Sequence, residues 1–177
     1  MDDIIVIDDF LSDKQLDTIT NCYRDPYFNW QIQVSDPDNP FSTEFLMGNV
    51  TQNPTYKEFF ISELSEQIKQ TLNLDIPLLS CYFNGQLSKK DGDLHQDYNE
   101  KSVILYVAKS KPEWGGFTQF VDPTHPEKQI IIPPLLGRLV CFPGNIIHKA
   151  YAYSHDYNPI RVSLVYKFGQ RNFSNLY

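Results

Sequence analysis

From Pro77 onward the sequence abandons helical spacing: short apolar or alternating runs are separated by clusters of Gly, Pro, Asn and Asp, the pattern of strands joined by turns. Eight candidate strands follow, near Leu78–Asn84, Leu94–Tyr98, Ser102–Ala108, Phe117–Val121, Gln129–Ile132, Arg138–Phe142, Ile146–Tyr153 and Ile160–Phe168. Eight short strands with no helix between them predict a mainly β fold with N-terminal helices: a double-stranded β-helix, or jelly roll, of two facing sheets. The 12 prolines against 8 glycines fit many turns between short elements.

The preceding residues read differently. A strand over 3–7 leads into Leu11-Ser12-Asp13-Lys14-Gln15-Leu16, where Ser12 caps a helix, Gln15 reaches back as its capping-box partner, and Leu11 and Leu16 form a hydrophobic staple. This helix is predicted to run to about Tyr23 and stop before Pro26. Phe28–Val34 and Thr43–Val50 read as extended, on either side of a proline-marked loop at Ser35–Ser42. Asn53-Pro54 opens a second helix in which Tyr56, Phe60, Leu64 and Ile68 recur every four residues as one buried stripe. The expectation is a single domain over 1–177, with 1–76 a helical and strand extension packed on a jelly-roll core at 77–168.

Composition excludes several classes. At 41% hydrophobic and 14% aromatic the chain is too apolar for disorder. Its 15 Lys and Arg against 22 Asp and Glu give a net charge of −7, which disfavours a surface that tracks phosphates, so no duplex nucleic acid is expected as a partner. The longest apolar runs, such as Ser102 to Ala108, fall far short of a bilayer span, and Met1-Asp2-Asp3 has the wrong charge for a signal peptide. Cys22, Cys81 and Cys141 sit singly in apolar segments with no CxxC pair, as reduced core residues do. A soluble, cytoplasmic protein with no membrane partner is expected.

His95-Gln96-Asp97 places an imidazole and a carboxylate two residues apart, which turns both to one face of an extended segment. His148, after the apolar run from Leu139 to Ile147, supplies a third donor. Two histidines and one carboxylate make the facial triad of non-haem iron, which leaves positions open for other ligands. His-x-Asp alone recurs in solvated turns, so the weight falls on what surrounds it. In the last strand Arg161 and Ser163 share a face while Val162, Leu164, Tyr166 and Phe168 take the other. A buried arginine needs a partner, and a dicarboxylate answers that need because a guanidinium forks onto a carboxylate. Pairing with Asp122 or Glu113 is the plainer alternative.

In this order the motifs resemble those of the Fe(II)- and 2-oxoglutarate-dependent dioxygenases, within them the prolyl 4-hydroxylase-like branch. The resemblance runs through Ile4-Ile5-Val6-Ile7-Asp8-Asp9-Phe10-Leu11-Ser12, Ser80-Cys81-Tyr82, His95-x-Asp97, Leu105-Tyr106-Val107, Trp114-Gly115-Gly116-Phe117-Thr118-Gln119-Phe120, Gly137-Arg138-Leu139-Val140-Cys141-Phe142-Pro143, His148 and Arg161-x-Ser163. It implies that His95, Asp97 and His148 are the catalytic iron ligands, and that Arg161 binds the distal carboxylate of 2-oxoglutarate with Tyr106, Ser163 and Tyr82. A core role for Tyr82 and Tyr106 stands beside that reading. The implied cofactors are Fe(II), 2-oxoglutarate and dioxygen, with ascorbate a candidate reductant. The implied reaction is hydroxylation of an unactivated carbon, a peptidyl proline in that branch.

Departures from the branch bear on particular residues. His148 and Arg161 are 13 apart, which implies a protruding hairpin at Tyr151–Pro159. His155, in that hairpin, is a rival third ligand that turn-like surroundings argue against, and His125 reads as a surface histidine. Lys89–Asp93 reads as a mobile polar loop near the metal. The hairpin and the Ser35–Ser42 loop are expected to flank the barrel mouth and meet substrate. Two alternatives stay open: a small-molecule hydroxylase of the same mechanism, and a jelly-roll binding module whose metal, zinc for instance, performs no oxidation.

Overall fold

The computed structural model describes residues 3–35, 38–39, 42–50, 54–122, 124–154 and 160–170. The larger sheet has the order β1 (Ile5–Ile7), β8 (Leu139–Pro143), β5 (Lys101–Tyr106), β10 (Ile160–Phe168), β4 (Leu78–Leu87), β3 (Glu44–Asn49) and β2 (Trp30–Val34). The smaller has β7 (Gln129–Ile132), β6 (Thr118–Val121) and β9 (Ile147–Ala150). Every strand pairing among the described residues is antiparallel. This is the jelly-roll class that the strand pattern predicts.

Alternation along β10 sorts the interior into two layers. Val162, Leu164, Tyr166 and Phe168 point to one side with Val103, Leu105, Cys81, Phe83, Leu139 and Cys141. There they meet α1 (Asp13–Arg24) and a helical stretch made of α2 (Pro54–Glu58), a π-helical segment Phe59–Leu64 and α3 (Ser65–Leu72). The rings of Phe60 and Phe83 lie edge to face at 5.6 Å, and Tyr166 Oη donates to the Phe60 carbonyl at 3.0 Å. On the other side, between the sheets, Ile104, Tyr106, Phe120, Ile132, Val140, Phe142 and Ile146 form a second cluster. The site opens from that inner layer.

Local signals act as the sequence predicts at α1, where Ser12 and Gln15 form the capping box and Leu11 is buried. The second helix differs. Residues spaced by four drift around a regular α-helix, and the wider π turn at Phe59–Leu64 offsets that drift, so Phe60, Leu64 and Ile68 are all fully buried. The N-terminal strands also do more than extend the core. β1 pairs with β8, and β2 and β3 continue the sheet beyond β4.

Two further expectations change. Leu94–Tyr98 is not a strand; only His95 makes a bridge, exchanging backbone hydrogen bonds with His148 at 2.9 and 3.0 Å, before the chain bends at 98–100. The Lys89–Asp93 segment is also anchored rather than free. Lys89 N–H donates to Tyr153 O, Gly92 N–H to Ala150 O, and Ala152 N–H to Asp91 Oδ1. Residues 155–159, with His155 and most of the expected hairpin, lie outside the described residues.

Candidate metal centre

His95, Asp97 and His148 meet where the His95 segment crosses the start of β9, their ligand atoms all within 4.8 Å of one another. The bridge sets His95, and a 2.7 Å bond from Asp97 N–H to the Gly144 carbonyl sets Asp97. A side chain at Gly144 would stand 2.1 Å from the Asn99 carbonyl, so this crossing needs glycine. The site is graded in exposure, the His148 and Asp97 side chains being buried and His95 exposed. Access is therefore from the His95 side.

Hydrogen bonds fix which nitrogen each histidine offers. His95 Nδ1 lies 2.9 Å from the Asp93 carbonyl and His148 Nδ1 3.0 Å from the Ile146 carbonyl. A carbonyl only accepts, so each Nδ1 carries the proton and each Nε2 keeps its lone pair for a metal. Burial, with His95 beside it and Asp97 only partly opposing, pushes the His148 imidazole down to about 4, so it is neutral near pH 7. Burial disfavours charge on Asp97, but Lys167, His148 and Ser102 outweigh it and hold the carboxyl below its ordinary value. Both forms are those a divalent cation takes as ligands.

Lys167 Nζ donates to Asp97 Oδ1 at 2.6 Å and Ser102 Oγ donates to Asp97 Oδ2. The rings of Phe120 and Phe142 enclose His148, with centroids 6.0 and 4.7 Å away. The Lys167 ammonium also lies 5.9 Å from the centre of the Tyr82 ring, which places Tyr82 at this end of the inner layer. His125 lies apart from the cluster, half-exposed and 4.0 Å from Asp122.

Arg161 is almost wholly buried on the inner face. Its Nε donates to the Gly116 carbonyl at 2.6 Å and its Nη2 to Thr118 Oγ1 at 3.1 Å, and Tyr106 Oη donates to the same Thr118 oxygen at 2.7 Å. The guanidinium carbon stands 5.3 Å from the centre of the Tyr106 ring. Among the described residues no carboxylate pairs with Arg161; Asp122 is engaged by Thr124 instead. Gly116, at φ +78°, is required here: a Cβ would lie 2.3 Å from the Tyr153 ring. Ser163 is buried directly across from Tyr106 on the neighbouring strand.

Sequence reasoning missed Thr118, Lys167 and Ser102 as members of this site. Lys167 shares the period-two face of Arg161 and Ser163, so strand alternation alone could have found it. Ser102 is its cross-strand partner, visible only once β5 and β10 are in register.

No protein-family model and no curated protein matches the sequence. The fold matches solved structures. An oxidoreductase of the 2OG-Fe(II) oxygenase family from Burkholderia pseudomallei aligns with TM-score 0.74 at 13% identity, over 94% of this chain and 85% of that one. A prolyl-4-hydroxylase from Pseudomonas putida aligns with TM-score 0.66 at 17% identity, over 95% and 93%. HygX from Streptomyces hygroscopicus, solved with nickel, 2-oxoglutarate and hygromycin B, aligns with TM-score 0.67 at 10% identity, over 97% and 84%. The chain therefore has the jelly-roll fold seen in 2-oxoglutarate and Fe(II) oxygenase structures.

Proposed function

We propose that this protein is an Fe(II)- and 2-oxoglutarate-dependent dioxygenase that hydroxylates an unactivated carbon. The observation that carries the reading is the pairing of two features in one barrel: a His–Asp–His cluster with both Nε2 atoms free, and a buried arginine whose described partners are all neutral. The donor set fits iron, since two imidazoles and one carboxylate leave coordination positions for a chelating cosubstrate. Arg161, supported by Thr118 and Tyr106, fits the distal carboxylate of 2-oxoglutarate, with Ser163 and Tyr82 on the same inner face.

The chemistry this group supplies when bound is transfer of one oxygen atom of dioxygen to a C–H bond, coupled to decarboxylation of 2-oxoglutarate to succinate. The chain's own residues hold and shield. Lys167 and Ser102 fix Asp97, the two carbonyls fix the imidazoles, and Phe120, Phe142 and Ile104 keep water from the inner layer. For the substrate we infer a peptidyl proline, supported by the motif resemblance and the Pseudomonas putida prolyl-4-hydroxylase neighbour. A small molecule is the second reading, favoured by the HygX likeness. Ascorbate would serve as reductant.

The test is anaerobic addition of Fe(II) and 2-oxoglutarate to the purified protein. A weak visible charge-transfer band is expected in the wild type and in His125→Ala, and none in His95→Ala, Asp97→Ala or His148→Ala. Absence of the band in the wild type would leave a metal-binding module without oxidation. Mass spectrometry for a 16 Da gain on proline peptides, against a panel of small molecules, separates the two substrate classes.

A further inference from the structure

Asp93 touches two parts of the molecule that no strand pairing joins. Its carboxylate accepts from Thr43 N–H at 3.0 Å, from Ser42 Oγ at 3.2 Å and from Thr43 Oγ1 at 3.4 Å. Ser42 and Thr43 end the connection between β2 and β3, and Ser35 at its other end donates its N–H to the Thr43 carbonyl at 3.1 Å. The carbonyl of the same Asp93 receives the Nδ1 proton of His95. His95 is the exposed member of the cluster; its ring leans on that of His148, with centroids 4.3 Å apart, and the bond to the Asp93 carbonyl is the hydrogen bond that fixes its Nδ1. The Thr43 bonds also hold the Asp93 carboxyl below its ordinary value, as expected of an anion that accepts several donors.

We propose that Asp93 is a positioning residue that couples the β2–β3 connection to the metal centre: its side chain clamps Ser42 and Thr43 while its carbonyl aims the His95 imidazole. The proposal rests on reading His95 as a metal ligand. A displacement of Ser42 or Thr43 shifts the Asp93 backbone and re-aims one ligand, so a contact made there is felt at the metal. Two carbonyls aim the two histidines, and the one at His95 belongs to a residue whose side chain is tied to Ser42 and Thr43.

The test uses Co(II), whose visible d–d band reports ligand geometry, titrated into the intact metal-free protein and its variants. Wild type binds and His95→Ala loses binding; if wild type fails to bind, or His95→Ala binds equally well, the ligand reading fails and not the coupling. With that reading intact, Asp93→Ala, which keeps the carbonyl and loses only the clamp, weakens Co(II) about 10-fold to 100-fold and shifts the band. Asp93→Asn, which still accepts from Thr43 N–H, recovers most of the affinity. Ser42→Ala/Thr43→Val, which removes the two hydroxyl bonds of the clamp and leaves Asp93 itself unchanged, falls between wild type and Asp93→Ala. Wild-type affinity and an unshifted band in Asp93→Ala overturn the proposal. So does a wild-type response in the Ser42→Ala/Thr43→Val variant, which would leave Asp93 acting on His95 without the connection.

Discussion

Lys167 Nζ stands 2.6 Å from Asp97 Oδ1, so the only carboxylate of the metal cluster is already neutralised from within the sheet that carries Arg161. The two cations sit six residues apart on one face of β10: Lys167 answers a carboxylate of the protein, and under the proposed function Arg161 answers one from the cosubstrate.

Lys167→Met should therefore damage the metal-free protein before any cosubstrate is added. Loss of a hydrogen bond to a charged, largely buried partner costs about 1.5–3 kcal/mol. Urea unfolding at pH 7 should show a loss of that size. Burial then acts on Asp97 with less opposition and its carboxyl rises, so Co(II) affinity should fall more steeply between pH 7 and 5.5 than in the wild type.

Arg161→Leu should raise the 2-oxoglutarate concentration needed for turnover and leave Fe(II) binding little changed. Removing one member of a buried charged pair costs about 3–5 kcal/mol, which at about 1.4 kcal/mol per decade is a hundredfold or more in affinity. Thr118→Val should lose about tenfold, since it removes the oxygen that Arg161 and Tyr106 share. Calorimetric titration of 2-oxoglutarate into the Mn(II)-loaded variants, beside their melting temperatures, measures both. Unchanged cosubstrate affinity in Arg161→Leu would make the arginine a structural residue only.

Acid should weaken the metal-free fold in a window set by His148. Its folded value of about 4 lies below the ordinary 6.5, so the unfolded chain takes up the proton first as pH falls. Stability is full above pH 6.5 and is lost progressively down to about pH 4, by about 3 kcal/mol in all. Asp97, also lowered, adds its own loss below that window. His148→Leu should flatten the curve between pH 6.5 and 4, and chemical denaturation at stepped pH reads the difference.

The three thiols should be silent in the native protein. Burial pushes Cys22 up to about 12 and Cys141 to about 11, and raises Cys81 further still. A thiol-reactive chromophore should label none of them quickly at pH 8 and all three once guanidinium unfolds the chain. Rapid native labelling of Cys81 would contradict the packing of β4 against the helices.

What the sequence determined by itself is what depends on near neighbours. Ser12 and Gln15 cap α1 because three residues on a helix close a loop of two hydrogen bonds, and the faces of β10 follow from alternation alone. His95 and Asp97 come to one side for the same reason, though the segment that carries them makes a single bridge, at His95, rather than a strand. Tertiary structure decided everything that needs register. Whether His148 meets His95 depends on which backbone groups pair across 53 residues, and whether Lys167 finds Asp97 depends on β5 lying beside β10. Asp93 shows the limit most clearly: its carboxylate bonds residues about fifty positions earlier, at Ser42 and Thr43, and its carbonyl a residue two positions later. Only the second of those contacts is short enough in the chain for local geometry to dictate it, because the first is fixed by how the sheet closes.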